Sequence, residues 1–227
     1  PMTSSYRILC LADMHTGSDF ALWPKDFEAI SPVNGTVVPY SQTEVNSKLY
    51  ECWRQMCKDE QDVDAIIFNG DLCDGPQKKS IGKFTRTSDI RLQINAACQL
   101  IDMLPQVPMY FTVGSDYHSQ DDRPAEEHIA ERVPDGTFRA DMVVEECGLR
   151  IYVGHVVAVS KVFAYRSTPL ARVQMELALH DDPDEYGKLD GAVLSHAHYL
   201  WANFTARTFA VITPCWQTRN LHAIKNG

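Results

Sequence analysis

No Cys-x-x-Cys pair occurs in this chain, and no run approaches the ~20 apolar residues that a membrane-crossing helix needs. The seven cysteines (Cys10, Cys52, Cys57, Cys73, Cys98, Cys147 and Cys215) are odd in number and scattered. Several lie inside apolar stretches, where a free thiol behaves as a small hydrophobe. That pattern argues against a disulfide framework and for a reduced, cytoplasmic protein without a membrane partner. The first residues lack the charged segment, apolar stretch and small-residue cleavage site of a secretory leader. Positive charge is also scarce, with 21 Lys and Arg against 30 Asp and Glu for a net charge of −9. A protein that coats nucleic acid draws its affinity from neutralising phosphates, so that class is disfavoured. Cutting nucleic acid stays open, because bound divalent cations would invert the local field. Internal repeats, low-complexity tracts and any alternation of basic and aromatic residues are absent as well.

What is present is ordinary enzyme composition, 44% hydrophobic and 22% charged, over 227 residues. One substantial core and one domain, 1–227, are expected. Short apolar runs recur at 8–12, 65–68, 109–113, 151–153 and 192–194, and each leads into a Gly, Asp or His. Such runs read as buried strands whose carboxyl ends present side chains in loops, the edge where open α/β sheets place their sites. Strands are expected at 6–12, 64–69, 107–113, 138–144, 149–153, 192–194, 202–205 and 208–212. Helices are expected at 43–59, at 88–104 with Ser88 as cap, from Pro124 onward, and at 168–180. The stretch 19–41, with Pro24, Pro32, Pro39 and Asn34-Gly35, reads as a loop insertion that could serve as a lid or a subunit contact. Neighbouring strands in the later half favour two sheets packed together with helices outside, an α/β sandwich.

Five groups of polar residues follow these runs: Asp13-Met14-His15, Gly70-Asp71-Leu72-Cys73-Asp74, Gly114-Ser115-Asp116 with His118, Gly154-His155, and Ser195-His196-Ala197-His198. In extended chain, residues two apart point the same way, so Asp-x-His sets a carboxylate beside an imidazole. That mixture suits Mn, Fe, Zn or Co better than Mg. Gly70 allows close backbone approach, and Asp71 could bridge two cations. Paired histidines directly after a buried strand are costly unless partnered. Each group alone has a bland reading as a polar turn or a satisfied core histidine. All five being bland at once, at the ends of separate strands, is improbable. With no cysteine cluster to close it, a structural zinc site is excluded.

In this order the groups resemble the calcineurin-like metallophosphoesterase family, whose motifs run Asp-x-His, Gly-Asp-x-x-Asp, Gly-Asn-His, a lone His, then Gly-His-x-His. The likeness spans residues 13 to 198, and Ala125-Glu126-Glu127 and Thr213-Pro214-Cys215-Trp216-Gln217 also resemble phage-borne and uncharacterised bacterial members. The resemblance implies a four-layer α/β/β/α sandwich of two mixed sheets flanked by helices. It implies two divalent ions, with Mn favoured and Fe, Zn, Co or Ni as alternatives. One would be held by Asp13, His15, Asp71 and His198, the other by Asp71, His155, His196 and a substitute for the family's Asn. Either Ser115 or Asp116 could supply that oxygen. The implied reaction is phosphodiester hydrolysis by a hydroxide shared between the metals, ~3.5–4 Å apart. His118, oriented by Asp74 or Asp116, would protonate the leaving oxygen, and Lys78 and Lys79 could steer an anionic substrate. The substrate would be a small phosphoester, a nucleotide or nucleic acid, and the chain could form an oligomer. Gly75 stands where related protein phosphatases carry arginine, which argues against a Ser/Thr phosphatase. Two alternatives stand beside this: a repair-type DNA or RNA nuclease, and an interaction scaffold of the same fold with weakened catalysis.

Overall fold

Along the strand Ala65–Asn69 every residue is buried, and successive side chains enter opposite layers. Ile66 and Phe68 pack with Trp53, Leu100, Ile101 and Ile129 from helices, whereas Ile67 packs with Val144, Ile151, Val153 and Val193 from another sheet. The strand Gly191–Leu194 shows the same alternation, with Val193 turned to the inter-sheet core and Ala192 and Leu194 packed with Leu170 of a helix. The period of two is thus what stacks helix, sheet, sheet and helix as four layers. The computed structural model describes residues 5–31, 33–76, 83–118, 123–159, 162–179 and 188–218. Among these, no helix is long and apolar enough to cross a membrane.

In chain order the strands are β1 (Ile8–Leu11), β2 (Phe27–Ile30), β3 (Val37–Tyr40), β4 (Ala65–Asn69), β5 (Met109–Thr112), β6 (Gly136–Arg139), β7 (Met142–Glu146), β8 (Leu149–Val153), β9 (Gly191–Leu194), β10 (Trp201–Phe204) and β11 (Phe209–Ile212). The helices are α1 (Glu44–Asp59), α2 (Ile90–Ile101), α3 (Ala125–Ala130) and α4 (Thr168–Leu179). One sheet has the order β1-β4-β5-β6 and is parallel throughout, because α1, α2 and α3 each carry the chain back across it. The other, β10-β11-β9-β8-β7, is mixed, with a parallel centre and an antiparallel pair at each edge.

Three local expectations change. The single strand expected at 138–144 is two strands in different sheets, β6 beside β5 and β7 beside β8. Hydrophobic pattern runs through both, so only the pairing partners separate them. Helix α2 is capped by Asp89 rather than Ser88, since the Asp89 carboxylate accepts the Arg91 backbone N–H. Pro124 takes the cap position of α3 instead of the first turn. The 19–41 segment forms the hairpin β2–β3, whose Phe27 and Tyr40 pack around buried Trp23. Buried Asn46 anchors the approach to it, donating to the carbonyls of Ser18, Asp19 and Ala21.

Candidate metal centre

Asp13 and His15 follow β1, Asp71 and Asp74 follow β4, Ser115 and His118 follow β5, His155 follows β8, and His196 and His198 follow β9. Backbone bonds lace the first two exits together. Asp13 N–H donates to Gly70 O (3.0 Å), His15 N–H to Asp71 O (3.0 Å) and Thr16 N–H to Leu72 O (2.9 Å). Five of these residues hold left-handed backbone, with φ of 50° at Asp13, 45° at His15, 51° at Asp71, 69° at His196 and 59° at His198. For residues with a Cβ each such turn costs roughly 1–3 kcal/mol, and such strain persists where surrounding structure over-determines it. Gly70 has no alternative: a Cβ there would lie 2.5 Å from His155 Nδ1 and 2.7 Å from Gly114 Cα.

The side chains converge in three overlapping clusters: Asp13, His15 and His198; His15, Asp71 and His118; and Asp71, His155 and His196. His198 Nε2 lies 3.1 Å from Asp13 Oδ1 and 3.2 Å from His15 Nε2, so ring nitrogens face one another across a carboxylate. Yet among the described residues His15 Nδ1 and His196 Nδ1 are buried without a hydrogen-bond partner, and Asp13 Oδ1 has only ring nitrogens beside it. Orphaned atoms of this kind are rare in protein interiors. Imidazole and carboxylate donors with unmet valence, and no cysteine among them, fit a divalent transition-metal ion.

The network around the clusters sets their orientation. His155 Nδ1 lies 2.7 Å from the Asn69 carbonyl, which only accepts, so Nδ1 carries the proton and Nε2 faces Asp71 Oδ2 at 2.9 Å. A second partner of this type fixes the tautomer of a metal-binding histidine. Ser115 does not turn away from Asp71. Its N–H donates to Oδ1 (2.7 Å) and its hydroxyl lies 3.0 Å from Oδ2. His118 Nδ1 donates to the Asp74 carbonyl at 2.7 Å, while the Asp74 carboxylate sits 3.7 Å from His15 Nδ1. Asp74 therefore orients the His118 ring through its carbonyl, while its carboxylate stands near His15 without bonding it. Asp116 is exposed and lies outside the three clusters. Lys78 and Lys79 lie outside the described residues.

Sequence reasoning missed several supporting groups. Buried Asn69 donates to the Gly154 and Val193 carbonyls and accepts from the Thr112 hydroxyl, pinning the two sheets together beneath the centre. Buried Glu126 accepts the Leu72 N–H at 3.0 Å behind Asp71. Gln93 bonds both the N–H and the carbonyl of Gly75. An amide or acid at the end of an apolar run was the available signal for Asn69. Glu126 and Gln93 sit on helices whose polar residues ordinarily face water, so no local pattern gave either its role, although Glu126 lay in the Ala125-Glu126-Glu127 stretch of the resemblance.

Electrostatics follow from the same geometry. Burial works against the charged form of Asp13, but the His15 and His198 rings outweigh it and hold the carboxyl at about 2. Burial likewise opposes the Asp71 carboxylate, and hydrogen bonding by His155 with the His15 charge keeps it well below the usual range. Burial lowers both His155 and His198, yet Asp71 lifts the first to about 9 and Asp13 lifts the second to about 10. Burial and then the His15 charge push His118 down to about 4. Burial and then the Asp71 charge raise Glu126 to about 7.

In the metal-free protein, protons thus take the place of cations on two imidazoles. Their folded values lie above the ordinary 6.5, so the folded chain binds more protons than the unfolded one in that interval. This stabilisation is complete below about pH 6.5 and is lost as pH rises through 9 to 10. Urea unfolding of chelator-treated protein from pH 6 to 10 measures it. Stability that climbs over that range would show that these pairs do not form.

Several solved structures resemble this one. They include a single mutant of Vps29 from Entamoeba histolytica (12% identity, covering 95% of this chain and 78% of that one, TM-score 0.45). A novel archaeal phosphodiesterase matches at 10% identity over 92% of this chain and 83% of that one, TM-score 0.48. A predicted phosphoesterase from Streptococcus pneumoniae matches at 10% identity over 94% of this chain and 75% of that one, TM-score 0.39. No known family profile matches the chain, and no curated protein matches it in sequence.

Proposed function

We propose that the chain is a metal-dependent phosphodiesterase of the calcineurin-like metallophosphoesterase type. The observation that carries this reading is the sharing of His15 and Asp71 between neighbouring clusters, which joins three ligand sets into one continuous site. One cation would be held by Asp13, His15, Asp71 and His198, and a second by Asp71, His155 and His196. Ser115 is the better substitute for the family's Asn, because its hydroxyl reaches the Asp71 carboxylate while Asp116 faces solvent. Two divalent cations held there, Mn by preference, would supply positive charge to neutralise the phosphate oxygens and to acidify an attacking water.

The protein's own groups do the rest. The Asp74 carbonyl holds His118 in place, and the Asn69 carbonyl fixes the His155 ring. His118 hands a proton from Nε2 to the departing oxygen. Burial favours the neutral form of that ring, so the negative phosphate must raise its affinity for the proton before transfer. His118→Ala should accordingly slow a diester with an alkoxide leaving group by about 10²-fold or more, and bis-p-nitrophenyl phosphate far less. Equal losses on both substrates would remove His118 from this role.

Chelator-treated protein reconstituted with Mn²⁺ should hydrolyse bis-p-nitrophenyl phosphate, and His198→Ala should abolish turnover. Failure with Mn, Fe, Zn, Co and Ni alike would instead favour the scaffold reading. A linear plasmid tested beside the small diester separates a nuclease from a small-molecule enzyme. The net charge of −9 favours the latter.

A further inference from the structure

Beside the centre lies an aromatic shelf that the metal ligands do not use. It begins at Tyr199, the residue after His198, and continues through Leu200 to Trp201 at the start of β10. The facing element is a 3-10 turn, Phe163–Tyr165, followed by Arg166. Phe163 meets the Trp201 ring edge-on, with centroids 5.5 Å apart at 79°. The Arg166 guanidinium carbon sits 4.6 Å from the Tyr199 ring centroid and 5.4 Å from that of Phe163. Tyr199 and Trp201 also pack on the core formed by Val157, Leu170 and Leu194, so the shelf rests on a rigid base.

Two properties set this patch apart from ordinary core. First, it is open: Phe163 is 68% exposed, Tyr165 62% and Leu200 65%. Rings of this size are normally covered, and an exposed cluster of them marks a binding surface. Second, it is poised for polar contact. Among the described residues, buried Arg166 Nε and Tyr199 Oη have no hydrogen-bond partner. A guanidinium and a phenol with spare hydrogen-bonding capacity, beside open aromatic rings, suit a flat ligand edged with nitrogen and oxygen. An alkyl chain would leave both unsatisfied. The shelf also adjoins the ligand loop along the chain: three residues from His198 to Trp201 span at most about 10 Å, and the Phe163 ring lies 5.5 Å beyond that of Trp201.

The geometry points to a nucleobase subsite, with the base of a nucleotide phosphodiester stacked on Phe163 and its polar edge toward Arg166 and Tyr199. Naming the substrate class in this way rests on the phosphodiesterase reading above, but the stacking itself can be measured without turnover. A base on an aromatic face, with an arginine alongside, gains affinity with little dependence on base identity.

The test is equilibrium binding by calorimetry to the full chain with Mn²⁺, comparing thymidine 5′-monophosphate with 2-deoxyribose 5-phosphate. The nucleotide should bind about tenfold more tightly. Phe163→Ala should erase that preference and leave the sugar phosphate unchanged, whereas Phe163→Trp should keep it. Phe163 is mostly exposed, so its truncation should spare the fold, which circular dichroism checks. Equal affinity for the two ligands, binding of neither, or a preference that survives in Phe163→Ala would overturn the subsite. Pentathymidylate binding more than tenfold tighter than the mononucleotide would also overturn it, because the shelf would then be one step of a strand track. Absence of bis-p-nitrophenyl phosphate hydrolysis, with the nucleotide preference intact, would instead strike the catalytic reading alone.

Discussion

Asp71→Asn should lower kcat on bis-p-nitrophenyl phosphate by about 10³-fold or more, with far-UV circular dichroism unchanged. Asp71 belongs to two of the three clusters, so its charge serves both halves of the centre. Asparagine has the same shape and keeps an oxygen for the Ser115 N–H, now 2.7 Å from Oδ1. What it loses is the negative charge, together with the acceptor that faces His155 Nε2 at 2.9 Å. His155 then gives up its extra proton rather than stay charged and buried, so the fold survives. Thermal unfolding supplies a second readout. At a metal concentration ~1,000 times Kd, a bound ion adds about 4 kcal/mol, or roughly 8–16 °C for a chain of this size. Wild type should show a Mn²⁺-dependent rise of that order, and Asp71→Asn should lose most of it. Near-normal turnover in the variant would refute the site.

Asn69→Ala should destabilise the metal-free protein by about 3 kcal/mol, lowering Tm by roughly 6–12 °C. Its amide spans the two sheets, donating to Gly154 O at 3.0 Å and Val193 O at 3.2 Å while accepting from Thr112 Oγ1 at 2.6 Å. Alanine leaves the Thr112 hydroxyl without this acceptor in a buried setting and opens a small void. The backbone carbonyl at position 69 survives the substitution, so the bond to His155 Nδ1 remains. Stability should therefore fall much further than activity measured at low temperature. A drop in Tm below about 2 °C would show that the amide contributes little to joining the sheets.

Much of the centre was legible before any fold was known, for a simple reason. Asp13, Asp71, His155 and His196 each stand two residues past a strand, so an apolar run followed by a ligand type marks the position directly. Helix α1 was legible for the same kind of reason: Val45, Leu49, Cys52, Trp53 and Met56 recur at helical spacing, a purely local pattern. The division of 138–144 into β6 and β7 was not, because the hydrophobic pattern is the same whichever sheet receives it. Nor was the role of Glu126, whose burial depends on α3 lying behind the Asp71 loop. Ser115 shows the boundary well. Its place in the motif order singled it out, but only coordinates show its hydroxyl turned to Asp71 rather than to solvent.

By itself, then, the sequence determined which chemical groups sit at strand ends, since period-two burial and the residue after it are local facts of the chain. Only the tertiary structure decided which groups share a site. His15 and His198, 183 residues apart, bring ring nitrogens within 3.2 Å because a parallel sheet and a mixed sheet stack with their exits on one side. That closeness comes from sheet pairing and inter-sheet packing, interactions between distant segments that no local periodicity encodes.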